Sequence, residues 1–577
     1  MNLTPEQKAI GKENFHSALG VSRRDFLRGG IAAGAVSGAG LGAMYFGYGK
    51  SIGNPLRVGV IGTGDEGGVL LGALTPSYIQ VVAIADIRPY NIYRAFHGDH
   101  SSPSAHQARC GLLEKYGWTT EDEARKNVKV YDQDYRELLE DENVEAVIIA
   151  LPLFLHAQAA IEAMKKGKHV LTEKLMAHSV HECKEMARVS QSTDRLLATG
   201  HQRHYSILYD NAVHMIQRNL IGDIHHIRAQ WHRGNLPGKD SWQAPLPDES
   251  MKEKIEKSQA EMDKLAEKIA KLLGQQASAK GLKLEALNEE LGKLNTQVKA
   301  FLQSQAQYQD RTVNAKNFGY QDMTLADGSQ RSALEELIRW RLWSRTGGGL
   351  MAELGSHQLD ACGIFISALR NDHEKALPLT VSAVGGRHIF PLDRDCEDHV
   401  YCIYEFPGPG YDKDPNKKIG VTYSSINGNG FGGYGEVVLG TKGTIVLERE
   451  QEVMLYKDAD VSTNVSVATD KKSGGPTLDT TSSGGAEAAL GKLALGSAPP
   501  SRGYTEEIEH WAWCIRNPDP KNVPRCPPKV ALGDAVIALT TNMAIRENRR
   551  IEFDQEWFEI DSDKTPEGVP PNVKRYV

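Results

Sequence analysis

The chain has 577 residues, 40% hydrophobic and 24% charged, with a formal net charge of −7. That balance excludes a mostly disordered or collagen-like chain, and the lack of a basic excess argues against nucleic acid or an anionic membrane surface as partner. Seven scattered cysteines without a C-x-x-C argue against a disulfide scaffold or a Cys-rich zinc site, and a single long uncharged stretch excludes a polytopic membrane protein.

Near the start, Ser22-Arg23-Arg24-Asp25-Phe26-Leu27 is a twin-arginine pattern. An uncharged run, 29–49, comes next, in which 13 of 21 residues are Gly or Ala. This resembles a bacterial Tat export signal, an address read by a receptor. No clear A-x-A site comes after it, so residues 1–50 are expected to be a signal or a retained anchor. The expectation is a protein exported by the Tat machinery, periplasmic or membrane-anchored facing the periplasm. That machinery moves folded proteins, so a cofactor is expected to be bound before export.

Residues 56–61 read as a buried strand that runs into Gly62-Thr63-Gly64-Asp65-Glu66-Gly67, a G-x-G-x-x-G. An apolar helical stretch and a second strand, 79–85, come next, and Asp86 stands 19 residues after Gly67. Gly62 allows the tight turn, Gly64 lets the backbone approach a pyrophosphate, and Gly67 permits close helix packing. The pyrophosphate sits on the helix N-terminus, and the acid accepts from the ribose hydroxyls. An acid there favours NAD over NADP; Arg88, two residues on, is the feature that speaks for NADP.

The alternation continues. A strand at 144–150 ends at Leu151-Pro152, a helix begins after His156, and a strand at 168–172 ends at Glu173-Lys174. Strands alternating with helices predict an α/β fold, a Rossmann-type doubly wound parallel sheet, over 51–203. From 204 to 467 strands come without regular helices between them: 224–231, 379–386, 398–406, 419–424, 435–440 and 443–448. They predict an α+β domain with a large, open, mostly antiparallel sheet. Within it, 249–306 carries spaced apolar residues (Ile255, Leu265, Ile269, Leu272, then Leu284, Leu287, Leu291, Leu294) among charges. Gly274 to Gly281 interrupts the run, so a helical hairpin is expected. The Ser/Gly/Thr/Ala/Pro-rich stretch 468–500 reads as a flexible loop, and 501–577 as C-terminal helices and tail.

Together these residues resemble the Gfo/Idh/MocA family of NAD(P)-dependent sugar oxidoreductases, its Tat-targeted members above all. The resemblance rests on the glycine loop, on Leu151-Pro152 with His156, on Glu173-Lys174-Leu175 where the family has E-K-P, and on 346–360. That last stretch, Thr-Gly-Gly-Gly-Leu-Met-Ala-Glu-Leu-Gly-Ser-His-Gln-Leu-Asp, is similar to the family's G-G-G…D-x-G-x-H-x-x-D element. The resemblance implies that Lys174 and His357 flank a nicotinamide. It implies a carboxylate four residues before the histidine, here Glu353 in place of Asp. It also implies that the large sheet carries one wall of the substrate cleft and a dimer surface, hence a homo-oligomer.

The implied cofactor contacts are Gly62, Thr63, Gly64, Gly67, Asp86, Arg88, Pro152, His156, Glu173 and Lys174. Catalysis falls to Lys174, His357 and Glu353. If the chain is helical from Leu350 onward, Glu353, His357 and Asp360 lie on adjoining rows of one face. An imidazole suits the base that takes a hydroxyl proton as hydride leaves carbon. His201, Gln202, Arg203 and Asp360 are candidates for the substrate side, with Trp231 and Arg233 as an aromatic and cationic strand end. His225 and His226 point to opposite faces of a strand, H-E-x-x-H is absent, and no metal centre is expected. The expected activity is hydride transfer between a tightly bound NAD and a sugar, polyol or sugar derivative. Two alternatives stand beside it: an NAD-dependent glycoside hydrolase working by transient oxidation, and a non-catalytic nucleotide-binding partner protein.

Overall fold

Short, mostly apolar runs recur between 56 and 200, and those at 56–61, 79–85 and 146–149 are apolar almost without break, the pattern of strands covered on both faces. In the computed structural model the runs are β1 (Leu56–Ile61), β2 (Ile79–Ala85), β3 (Lys129–Tyr131), β4 (Ala146–Ile149), β5 (His169–Glu173) and β6 (Leu197–Gly200). The structure describes residues 3–18, 41–49, 52–276, 278–370, 374–457, 466–469, 476–479 and 502–576. The six strands form one parallel sheet in the order β3-β2-β1-β4-β5-β6. The order reverses between β1 and β4, so a crevice opens at the carboxyl ends of those strands.

The second sheet has eight strands. Its order is Glu452–Lys457, Gly443–Glu448, Tyr434–Gly440, β7 (Ile224–His232), Lys418–Ile426, His399–Pro407, Thr380–Gly386 and Ile551–Glu552. Only β7 and Lys418–Ile426 pair in parallel. Burial alternates along Lys418–Ile426 and His399–Pro407. Val400, Cys402, Tyr404, Phe406, Ile419, Val421 and Tyr423 enter the core, while Val384, Tyr401 and Ile403 stand exposed on the other face. Helices Ser356–Ser367 and Pro528–Glu547 cover the inner face.

The stretch 501–577, read from sequence as C-terminal helices and tail, is divided between the two sheets. Ile508, Trp511 and Ala512 of helix Tyr504–Arg516 are buried in the core beside β1 and β2, and Ile551–Glu552 completes the large sheet. The apolar stripe of that helix has no cover of its own, so the parallel sheet supplies it.

The expected hairpin consists of helices Glu249–Gln276 and Leu282–Gln309. Its 28-residue arms, about 42 Å long at 1.5 Å per residue, share a small core of Leu272, Leu287, Leu291 and Leu294. The root of the second arm packs on helix Pro89–His97 of the parallel domain.

The twin-arginine pattern and most of 468–500 lie outside the described residues. Their neighbours do not. Helix Pro5–Ala18 lies along the edge strand Glu452–Lys457, with Lys12 on Glu452 at 2.5 Å and the Tyr456 hydroxyl donating to the Gln7 carbonyl at 2.9 Å. Tyr48 is buried and donates to Glu509 at 2.7 Å. Among the described residues no helix is long and apolar enough to cross a membrane.

Candidate functional site

Most of the residues singled out in the first domain fall at the carboxyl end of a parallel strand. Gly62 comes directly after β1, Asp86 after β2, Leu151-Pro152 after β4, Lys174 after β5 and His201 after β6. The fold thus gathers them along one edge of the sheet.

The glycines do different work. Gly62 has φ +87°, and a Cβ there would lie 2.5 Å from the Ala150 carbonyl oxygen. A Cβ on Gly67 would lie 2.2 Å from the Gly62 oxygen, so strand and helix can meet only without it. At Gly64 the nearest protein atom to a Cβ is Asn91 Nδ2 at 3.6 Å, which leaves the front of helix Asp65–Ala73 open to a ligand. Asp86 accepts from the Thr63 amide at 2.8 Å, the Arg88 amide at 2.9 Å and Asn91 Nδ2 at 3.1 Å, and its carboxylate stays partly exposed. An open helix start beside a fixed, reachable carboxylate fits a dinucleotide.

Two acids, Asp65 and Glu66, sit in the first turn of that helix, where they oppose an anion. Arg94 offsets Asp65 at 2.7 Å. Arg341 adds its charge from the other side, acting on Asp65, Glu66 and Glu353. Nothing near Arg341 in the sequence marks it as a site residue. Glu173 is buried, and burial together with the Glu66 carboxylate pushes its carboxyl up. Its Oε2 accepts from the Lys174 amide at 3.1 Å.

Lys174 crosses to the second domain. Its Nζ donates to the Glu353 carbonyl at 2.8 Å, and the Lys174–Leu175 peptide is cis. His156, expected to touch the cofactor, is buried instead: its ring nitrogens lie 2.9 Å from the Leu175 carbonyl and 2.8 Å from the Leu151 carbonyl. It ties the loops that carry Pro152 and Lys174 and so positions them.

Glu353 and His357 do not lie on a straight α-helix. Met351–Gly355 is a π-helical turn, and the α-helix begins at Ser356. Such a turn inserts extra chain and re-aims the residues beyond it. Glu353 pairs with Arg341 at 3.2 Å; burial would raise its carboxyl, but the Arg341 and Lys174 charges hold it below the usual range. Burial, then the Lys174 and Arg203 charges, push the His357 imidazole well below its ordinary value. Its ring lies 5.7 Å from that of Trp231, which stacks on Tyr434 at 4.4 Å. Arg233 lies over both Trp231 and Trp242.

The four residues expected on the substrate side are each 1% exposed. Arg203 bridges Glu450 at 2.8 Å and Glu436 at 3.0 Å, and donates to the His357 carbonyl at 2.6 Å. Asp360 turns away from His357 to meet His204 at 2.9 Å and Lys375 at 3.0 Å. His201 and Gln202 are enclosed beside them. These groups form the wall behind the cleft; the partly exposed polar groups at its mouth are Lys174, Glu353, His357, Arg233 and Arg341. His201, Cys526 and Asp534 bring ligand-type atoms within 4.8 Å of one another, but Lys375 Nζ lies 2.7 Å from Asp534 and already supplies a cation there.

Residues 56–201 match the model of the Gfo/Idh/MocA oxidoreductase family, NAD-binding Rossmann fold. A glycosyl hydrolase family 109 protein of Solibacter usitatus is 26% identical over 213 residues, 36% of this chain and 44% of the relative. An uncharacterized oxidoreductase of Schizosaccharomyces pombe is 32% identical over 132 residues, 22% of this chain and 36% of the relative. The chain thus covers less than half the length of these curated relatives. Among solved structures, an oxidoreductase domain protein from Kribbella flavida has a TM-score of 0.49 at 14% identity, covering 87% of this chain and all of that one. Aldose-aldose oxidoreductase from Caulobacter crescentus has a TM-score of 0.48 at 14% identity, covering 86% of this chain and all of that one. Residues 56–201 are thus similar to the NAD-binding Rossmann domain of the Gfo/Idh/MocA oxidoreductases.

Proposed function

We propose that the chain is an NAD-dependent oxidoreductase that moves hydride between a tightly held nicotinamide and a CH–OH group of a sugar, polyol or sugar derivative. The observation that carries this reading is the meeting of Lys174 with the Glu353–His357 turn across the two domains. Gly62, Gly64, Gly67 and Asp86 would hold the dinucleotide, and the nicotinamide supplies the hydride acceptor. Lys174 Nζ holds the substrate hydroxyl oxygen. His357, held neutral by its surroundings and the Lys174 and Arg203 charges, takes the hydroxyl proton on a ring nitrogen as the C–H bond breaks. Glu353 stays ionised beside Arg341 and balances the charge that His357 gains. Trp231, stacked on Tyr434 and flanked by Arg233, offers an apolar face for a sugar ring.

A second reading is favoured by the family 109 relatives. In it the same groups oxidise a glycoside transiently, allow elimination and water addition, and reduce it again. The test is to incubate the nucleotide-loaded protein with a panel of sugars, polyols and glycosides. Reduced nucleotide formed with substrate alone supports the dehydrogenase; free sugar with unchanged NAD supports the hydrolase. Lys174→Ala with His357→Ala tests both against a silent binding protein, which keeps its biological role without turnover.

The twin-arginine pattern supports a place beyond the cytoplasmic membrane, checked by fractionating cells with Arg23→Lys and Arg24→Lys exchanged. Val384, Tyr401 and Ile403 on the open sheet face support self-association there, checked by light scattering.

A further inference from the structure

Arg88 stands two residues after Asp86, at the edge of the site where a dinucleotide's adenosine ribose would lie. An arginine at this place is the usual partner of a 2′-phosphate. Here it already has a partner. Its Nε and Nη2 reach Asp310 Oδ2 at 2.9 and 2.8 Å. Asp310 is 0% exposed, and its other oxygen accepts from the Tyr90 amide at 3.1 Å. The acid comes from 222 residues away, directly after the hairpin helix Leu282–Gln309. Two turns earlier, Gln303 of that helix accepts from the His100 amide at 2.7 Å and donates to Asp99 at 3.0 Å. Two anchor points therefore hold the hairpin root on helix Pro89–His97 and fix Asp310 in place.

We propose that Asp310 is a specificity-determining residue: from the root of the helical hairpin it holds Arg88 in a buried ion pair, denies a 2′-phosphate its cation, and makes the site select NAD over NADP. The proposal rests on the nucleotide-binding reading above. It gives the hairpin a part in cofactor choice, through its root and not its arms. Without Asp310, Arg88 becomes an unpaired guanidinium beside the ribose position, and a 2′-phosphate can take the vacated bonds.

The test is equilibrium dialysis of the full chain against an equimolar mixture of NAD+ and NADP+, with bound nucleotides counted by mass spectrometry. The native protein is expected to hold NAD+ in excess. Asp310→Ala is expected to shift the bound ratio towards NADP+ by about tenfold, and Asp310→Asn, which keeps the shape but not the charge, by less in the same direction. Adding Arg88→Ala to Asp310→Ala should return the ratio towards the native one. A ratio that does not move in either single variant, a gain that survives loss of Arg88, or a native protein that prefers NADP+ overturns the proposal. A native protein that binds neither nucleotide overturns the nucleotide-binding reading instead.

Discussion

Lys174 Nζ and the Glu353 carbonyl oxygen are 2.8 Å apart, and this bond joins the end of a parallel strand to the π-helical turn of the other domain. It aims the amine at the mouth of the cleft and marks where a substrate oxygen would sit. Lys174→Met keeps most of the apolar stem and removes the donor. Turnover on the best substrate is expected to fall by about 10²–10⁴-fold with the nucleotide still bound. Initial rates and nucleotide content of the same preparation check it, and a variant with native rates sinks the role.

Two glycines of one loop should fail in different ways. Gly67→Ala puts a Cβ against the Gly62 carbonyl, a backbone group that cannot swing aside, and should cost about 1–3 kcal/mol of stability. Gly64→Ala meets only an ordinary contact with Asn91, so the protein should fold normally and bind NAD more weakly. Melting temperature and nucleotide affinity, measured on both, separate the two; equal behaviour contradicts the assignment.

His169 opens β5 with Nδ1 accepting from the Leu196 amide at 3.0 Å, and burial pushes its imidazole from 6.5 down to about 4. Above pH 6.5 neither folded nor unfolded chain holds the extra proton. Between 6.5 and about 4 only the unfolded chain takes it, so stability is lost as pH falls through that window and no further below it. At pH 5 the loss is about 2 kcal/mol from this group alone. His169→Gln should therefore lose that much less than the native protein between pH 7 and pH 5 in chemical unfolding.

Phe15 and Tyr48 are buried against the folded body, at about 1.5–3 kcal/mol for each side chain. A chain that begins at residue 52 should melt several degrees lower than the full chain. An unchanged melting temperature would mean that these contacts add nothing in solution.

Much of the first domain was legible because its signals are local. The glycine loop, the two strands beside it and Asp86 occur within 31 residues, and each glycine answers to a nearby carbonyl or an open space. The second half of the site was less so. Glu353 and His357 are spaced for one helical face, but the π-helical turn between them breaks that geometry, and no residue type announces such a turn. Asp360 continues the periodic row, yet Lys375 and His204 draw it into the wall. Burial of His201, Gln202 and Arg203 depends on Glu436, Glu450 and the helix Tyr504–Arg516, all distant in the chain. Arg341 and Asp310 carry no local pattern; only the fold brings them to the cleft.

The docking of Pro5–Ala18 on Glu452–Lys457 has a consequence for synthesis. Lys12 and Tyr48 are made early, and their partners Glu452 and Glu509 lie 440 and 461 residues later in the chain. At ribosomal rates of about 5–20 residues per second, those partners emerge roughly 20–90 s later. Through that interval these two contacts cannot form, although Tyr48 can already meet Tyr78 and Tyr45 can already bond Asn211. The bonds to Glu452 and Glu509 are added only late, so their formation reports that most of the chain has emerged and folded.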